Sequence, residues 1–216
     1  MKLLIFGATG ATGRLLVDQA LELGHAVTAF VRDPARLHRS HPTLRQIVGD
    51  AMDAATVEGA VQGHDAVVCA LGTSPEGKAD RARRQPGVPV CSVGTANIVG
   101  AMDRHGVRRI VVESSTSVGE SRKAGRWGAA AIVRLFLREV MDDKERQDEI
   151  LKGSGLDWTI VRPAKLSNGP QTGRLKSGEG LAWSLASSAS RADVAAFLLA
   201  ALSDPATIGR AITVRN

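Results

Sequence analysis

The sequence predicts an α/β fold, a single domain over residues 1–216 built on one doubly wound parallel sheet flanked by helices, and three observations predict it. An apolar run, Lys2 to Phe6, stops at a glycine-punctuated turn and gives way to a helical pattern. Short apolar strands then alternate with helical stretches along most of the chain, as in successive βαβ units. The 216 residues, 44% of them hydrophobic, lie in the size range of one such domain with a sizeable core.

In the first strand the apolar residues are continuous rather than alternating, which is expected of a strand covered on both faces. It runs into Gly7-Ala8-Thr9-Gly10-Ala11-Thr12-Gly13. Gly7 begins the turn, Gly10 leaves room for a pyrophosphate against the backbone, and Gly13 lets the next helix pack tightly on the strand. The free N–H groups and the positive dipole end of that helix face the phosphates. Leu16, Ala20 and Leu23 then recur at helical spacing, and Gly24 ends the helix. Strand, turn and helix together read as a Rossmann-type dinucleotide site; a glycine-rich turn with no ligand is the plain alternative.

Ala26 to Val31 form the second strand, which ends at Arg32. An acidic residue at this tip hydrogen-bonds a ribose 2′-hydroxyl, whereas arginine accommodates a 2′-phosphate, so Arg32 with Arg36 argues for NADP(H) over NAD(H). Asp33-Pro34 suits the start of a short helix. Gln46 to Val48 are a short third strand, followed by Gly49-Asp50, where the aspartate either caps a turn or accepts from an adenine amino group. A helical spacing over Asp53 to Val61 leads to a fourth strand, Asp65 to Leu71, which enters Gly72. Small residues there let a ribose or nicotinamide lie against backbone.

Thr73 to Pro89 is a polar loop with Arg81, Arg83 and Arg84, and a second basic loop carries Arg122, Lys123 and Arg126. Both leave carboxyl ends of strands, and they read either as a rim for an anionic substrate or as solvated surface. Between them lie a helix from Val90 to His105, ended by Gly106, a fifth strand from Arg109 to Glu113, and the hydroxyl cluster Ser114-Ser115-Thr116-Ser117. Such hydroxyls bind a carbonyl oxygen or a nicotinamide amide, or cap turns. Arg126 to Lys152 is a long helical stretch with an expected break near Met141-Asp142-Asp143, where acidic residues suit a fresh helix start. A sixth strand, Asp157 to Arg162, ends at Pro163, and residues 164–189 are expected to form a small substrate lobe. Ser190 and Asp193 resemble a capping box for a helix to about Leu202, and Ala211 to Val214 complete the sheet.

Composition narrows the function. The net charge of +6 invites nucleic-acid, membrane or anionic-ligand partners, but an aromatic content of 3% argues against base-stacking platforms, so nucleic acid is not expected. Nor is a membrane span, since no apolar run nears the ~20 residues it needs, and with a strand rather than a signal sequence at the start the chain reads as cytoplasmic. Cys69 and Cys91 suit a disulfide framework no better than a metal site and read as core residues, and His25, His38, His41, His64 and His105 lack ligand spacing, so no metal is assigned.

With those residues in place, the chain resembles the atypical short-chain dehydrogenases/reductases, the group of NmrA-like regulators, biliverdin-IXβ (flavin) reductase and isoflavone-type reductases. The carriers are Gly7 to Gly13, Val31-Arg32, Gly49-Asp50, Ala70-Leu71-Gly72 and Val161-Arg162-Pro163. The resemblance implies that Thr9, Gly10, Ala11 and Thr12 hold the pyrophosphate, Arg32 the 2′-phosphate, and Asp50, next to Ala51, the adenine. It places Ala70, Leu71 and Gly72 at the ribose and Ser114, Ser115 and Pro163 near the nicotinamide. It also puts Lys144 where the isoflavone-type reductases keep an active-site lysine, able to order the nicotinamide ribose or to donate a proton; an exposed helix lysine is the alternative. Ordinary members use a Tyr-x-x-x-Lys pair, and this chain contains no tyrosine. The expected function is therefore an NADPH-dependent reductase of a conjugated small molecule such as a flavin, quinone or tetrapyrrole, which spreads the incoming charge and needs no tyrosine acid. An NADP(H)-binding redox sensor without turnover is the alternative.

Overall fold

A strand that is apolar at four successive positions, Leu3 to Phe6, needs cover on both sides of its sheet. In a computed structural model, which describes residues 1–72 and 88–216, it has that cover. In β1 (Lys2–Phe6), Leu3 and Ile5 point into one core and Leu4 and Phe6 into another. The first core is closed by α1 (Ala11–Glu22), through Leu16, Val17 and Ala20, and by α5 (Arg191–Leu202), through Val194, Ala195 and Leu198. The second is closed by α2 (Ala54–Val61), α3 (Val90–His105) and α4 (Ala129–Lys152), with Val57, Ile98, Met102 and Leu151.

The other strands are β2 (Ala26–Val31), β3 (Leu44–Val48), β4 (Ala66–Cys69), β5 (Arg109–Glu113), β6 (Asp157–Pro163), β7 (Lys165–Ser167), β8 (Lys176–Gly178), β9 (Ser188–Ser190) and β10 (Arg210–Arg215). Among the described residues the main sheet has the order β3-β2-β1-β4-β5-β6-β10-β8. All neighbours are parallel except β8, which lies antiparallel on β10. The direction of winding reverses between β1 and β4, and the crevice at the carboxyl ends of strands flanking such a reversal is where open α/β sheets take ligands. Phe6, the last residue of β1, is in register with both Phe30 and Cys69.

Elements whose ends are set by glycine or by a strand tip fall where the residues predict. Gly24 and Gly106 both take the left-handed conformation, with φ of 79° and 67°, and Asp33 caps Pro34–Arg36, a single 3-10 turn. Five expectations need correction. Leu23 does not join the packed face of α1; it is the C-cap and is 64% exposed. The third strand begins at Leu44, and the fourth is shorter than Asp65 to Leu71. The long helix begins at Ala129 after a 3-10 turn at Arg126–Gly128. Its break is at Leu137 (φ −129°, ψ 31°), not at residues 141–143. Asp143 does serve a helix start, but another helix's: its carboxylate accepts from the amides of Cys91 and Ser92 at the beginning of α3, each at 2.9 Å.

In the stretch expected to be the lobe, β7 and β9 form a separate two-stranded parallel sheet. Ser190 caps α5 by accepting from the Asp193 amide at 3.0 Å. The Asp193 carboxylate turns to the lobe and accepts from the amides of Thr172 and Gly173 and from the Thr172 hydroxyl, all at 2.8 Å. Trp183 is buried against Ala129 and Ala130 and donates its indole N–H to the Ser121 carbonyl at 2.8 Å, which ties the lobe to the segment ahead of α4.

Candidate cofactor site and its surroundings

The Gly7–Gly13 turn lies at the winding reversal, and its shape depends on missing side chains. A Cβ on Gly7 (φ 78°) would come 2.4 Å from the Ala70 carbonyl oxygen, so the ends of β1 and β4 meet there without an intervening side chain. A Cβ on Gly13 would lie 2.0 Å from the Gly7 oxygen and 2.9 Å from the Ala8 Cα. Gly10 donates its amide to the Gly7 carbonyl at 2.9 Å and stands at the N-cap of α1. No side chain caps that helix, and no acidic residue lies in its first turn. This cradle of backbone amides with a clear approach suits a pyrophosphate. Thr9 is half-buried, Gly10 and Ala11 are exposed, and Thr12 is buried with its hydroxyl turned inward to Glu113 Oε1 at 3.2 Å.

Lys144 reaches the same edge from the other face of the sheet. It is buried, and its ammonium donates to the Leu71 carbonyl at 2.8 Å, to the Glu113 carbonyl at 2.6 Å and to Gln147 Oε1 at 3.2 Å. Three N–H groups meet three acceptors, so the lysine clamps the ends of β4 and β5 together. Burial works against its charge, but the neighbouring carboxyl groups of Glu113 and Asp148 favour it, and the pKa stays above the ordinary lysine value. Gln147 is fixed in turn, donating to Thr95 Oγ1 at 2.8 Å. Val140, one helical turn before Lys144, occupies the place of the tyrosine in a Tyr-x-x-x-Lys pair. The Glu113 carboxyl is buried on the α1 side; burial pushes its pKa up, with Lys144 and the Thr12 hydroxyl opposing.

The hydroxyl cluster divides. Ser115 is half-buried, whereas Ser114, Thr116 and Ser117 are buried. The Ser114 amide donates to Val161 and the Thr116 amide to Pro163, so the ends of β5 and β6 stay joined past Glu113. The Ser114 hydroxyl and Asp148 Oδ1 are buried and lack a hydrogen bond of good geometry, although the hydroxyl is near enough to favour the Asp148 anion. Asp148 Oδ2 accepts from Arg162 Nε at 3.0 Å and from a terminal guanidinium nitrogen at 2.8 Å. Burial raises the Asp148 pKa and Arg162 opposes the rise. Arg162 also reaches Glu120 at 2.8 Å, and Lys152 with Arg162 pushes the Glu120 carboxyl down to about 2.

Arg32 is exposed at the tip of β2 and Arg36 is half-buried beyond it. Arg14 donates to the Arg36 carbonyl at 2.8 Å, which brings the tip of β2 beside α1. Asp50 Oδ1 accepts from the Met52 amide at 3.0 Å and so caps its turn, leaving Oδ2 for a second partner. Ala51 is buried, its carbonyl held by Asn97 at 2.9 Å. Leu71 is half-buried, Gly72 is exposed and Pro163 is buried. Arg81, Arg83 and Arg84 lie outside the described residues. In the second basic loop, Arg122 is already paired with Glu145 at 2.9 Å. Sequence reasoning passed over Glu113, Gln147, Asp148 and the pairing role of Arg162. Each is a polar residue inside an apolar strand or on a buried helix face, and that placement was the available signal.

A model of a family described as NAD(P)H-binding matches residues 7–205. An uncharacterized chloroplastic protein of Arabidopsis thaliana is 32% identical over 179 residues, 81% of this chain; the chain spans 62% of that protein's length. Two solved structures share the fold. ChuY from Escherichia coli O157:H7, described as an anaerobillin reductase, superposes with a TM-score of 0.82 over 99% of this chain and 96% of its own, at 20% identity. A short-chain dehydrogenase/reductase from Veillonella parvula, solved with NADP, gives 0.81 over 100% and 94%, at 19% identity.

Proposed function

The chain belongs to the NAD(P)H-binding family, and on that premise we propose that it is an NADPH-dependent reductase of a conjugated small molecule of flavin, quinone or tetrapyrrole type. The observation that carries this reading is the anchoring of Lys144: its three N–H groups are given to Leu71, Glu113 and Gln147, and Val140 stands one turn before it. An acceptor that developed a localised alkoxide would need a strong acid close by. A conjugated acceptor spreads the charge and takes its proton from water. The name given to ChuY supports a reductase on this fold.

The Gly7–Gly13 cradle fits a dinucleotide, with Gly7, Thr9, Gly10, Ala11, Thr12 and Gly13 around the pyrophosphate and Arg32 and Arg36 at the 2′-phosphate. Asp50 offers its second oxygen to the adenine, and Ala70 to Gly72 lie at the ribose. When bound, NADPH supplies the hydride. The chain's own part is to present a flat edge: Lys144 fixes the carbonyls of Leu71 and Glu113, the Ser114 and Thr116 amides join the end of β5 to Val161 and Pro163, and Ser114, Ser115 and Pro163 would meet the nicotinamide.

Two substitutions separate these roles. Arg32→Ala is expected to weaken NADPH about ten- to a hundredfold, the worth of one charge-assisted hydrogen bond, and to leave NADH nearly unchanged in fluorescence titrations. Equal losses for the two cofactors contradict the 2′-phosphate assignment. Lys144→Met keeps the side-chain length and removes the clamp. It is expected to lower kcat about tenfold or more with little change in the KM for NADPH, since positioning is lost while the cradle survives. A variant with full kcat would return Lys144 to a purely structural role.

The experiment that tests the reading is NADPH oxidation with FMN, riboflavin, a naphthoquinone and biliverdin as acceptors, against an acceptor-free control. Turnover on one of them supports a reductase and names the acceptor class. Tight NADPH binding with no turnover on any of them turns the reading to a redox sensor.

A further inference from the structure

Residues 121–138 hold five basic residues, Arg122, Lys123, Arg126, Arg134 and Arg138, and no acidic one; Arg122, Arg134 and Arg138 pair with Asp142 and Glu145 just beyond the segment, and Lys123 and Arg126 are the cations that remain to meet a partner. Among the described residues the same segment shows the greatest apolar exposure: Trp127 is 80%, Leu135 78% and Phe136 77% exposed, with Ile132 beside them. Ile132, Leu135 and Phe136 are spaced i, i+3, i+4 and share a face of α4, while Ala129, Ala130 and Val133 cover Trp183 on the inner side. The outer face of this short helical run is thus apolar, with Lys123 and Arg126 just ahead of it, the reverse of an ordinary surface helix.

The backbone presents Trp127 outward against its own preference. Trp127 has φ 53° and ψ 37°, the left-handed region, which costs a non-glycine residue about 1–2 kcal/mol. The Arg126 guanidinium lies 4.8 Å from its ring. Strain held at an exposed aromatic residue points to a use for it.

Charge decides what covers this face. A second copy related by a two-fold axis would set Lys123 and Arg126 against themselves, while Asp142 and Glu145 beyond the segment are already taken by Arg122, Arg134 and Arg138. Residues 73–87 contain no Val, Ile, Leu, Met, Phe or Trp, and four basic residues against two acidic ones, so their sequence offers no apolar cover. The complement is a surface that is both anionic and deformably apolar. We propose that segment 122–138 docks the protein on an anionic lipid bilayer, with Trp127, Leu135 and Phe136 at the boundary of headgroups and acyl chains and Lys123 and Arg126 on lipid phosphates. Docking of this kind lies in the interface and needs no membrane-spanning run; none of the described helices is long and apolar enough to cross a membrane.

The test is co-sedimentation of the whole chain with vesicles of phosphatidylcholine alone and of phosphatidylcholine mixed with phosphatidylglycerol, with sedimentation velocity of the free protein alongside. Binding is expected to be about tenfold or more tighter to the anionic vesicles. Tryptophan emission should shift to the blue on binding, and Trp127→Phe should abolish the shift because Trp183 is buried and Trp158 half-buried. Leu135→Ser with Phe136→Ser, both on the surface, is expected to reduce vesicle binding about tenfold or more while NADPH affinity is kept. Absence of vesicle binding, or equal binding by the double variant, overturns the proposal. So does a dimer that the double variant dissolves without any vesicle binding, which would assign the face to a second copy.

Discussion

Asp148→Ala is expected to cost about 3–5 kcal/mol of folding stability, because it strands a guanidinium that cannot lose its proton in the interior. Arg162 is among the largest fully buried side chains, and Asp148 accepts from it twice, at 3.0 and 2.8 Å. The remaining partner, Glu120, is exposed and cannot replace a buried carboxylate. At about 2–4 °C per kcal/mol for a chain of this size, the loss corresponds to a fall of about 6–20 °C in Tm. The informative companion is Arg162→Met with Asp148→Leu, which removes both charges and should recover most of the loss. If the double variant is no more stable than Asp148→Ala, packing rather than the stranded charge sets the cost. Differential scanning calorimetry of the three proteins measures all of this.

Gly13→Ala is the second large effect. The new methyl would sit 2.0 Å from a backbone carbonyl oxygen, which has no rotamer with which to give way, so α1 must move off the Gly7 turn. Overpacking of this kind costs about 3 kcal/mol, and the displaced amides should lower NADPH affinity about a hundredfold or more. Gly59→Ala is the control. It too lies in a helix, but nothing stands within 4 Å of the added Cβ, so the same substitution should stabilise by about 0.5–1 kcal/mol and leave NADPH binding alone. Urea denaturation and NADPH titration of both variants check the opposite signs. A Gly13→Ala protein that binds NADPH normally would mean that the turn does not hold the pyrophosphate.

The residues that made the sheet legible are those whose constraint is local. Leu3 to Phe6 are apolar at each position because both sides are covered, and Gly24 and Gly106 end helices by adopting a conformation other residues avoid. The strand ends at Val31 and Glu113 could be read for the same reason. What could not be read was set by partners far along the chain. The acids at 142–143 look like the start of a helix, yet Asp143 serves the amides of Cys91 and Ser92. The helix breaks instead at Leu137, among residues with no breaking signal of their own. The same holds at the candidate site: the family resemblance picked out Lys144, but only the fold shows that it joins Leu71 to Glu113, far apart in sequence. Glu113 itself reads as the last residue of a strand until Thr12 is seen opposite it.

The two thiols carry a consequence for chemistry with oxidants and electrophiles. Cys69 and Cys91 are both buried; burial raises both, and Cys91 is pushed up to about 12. At neutral pH neither presents a thiolate, and nucleophilic attack on peroxide, on a disulfide or on an alkylating agent needs one. Oxidative signalling therefore has no sulfhydryl on this protein through which to act.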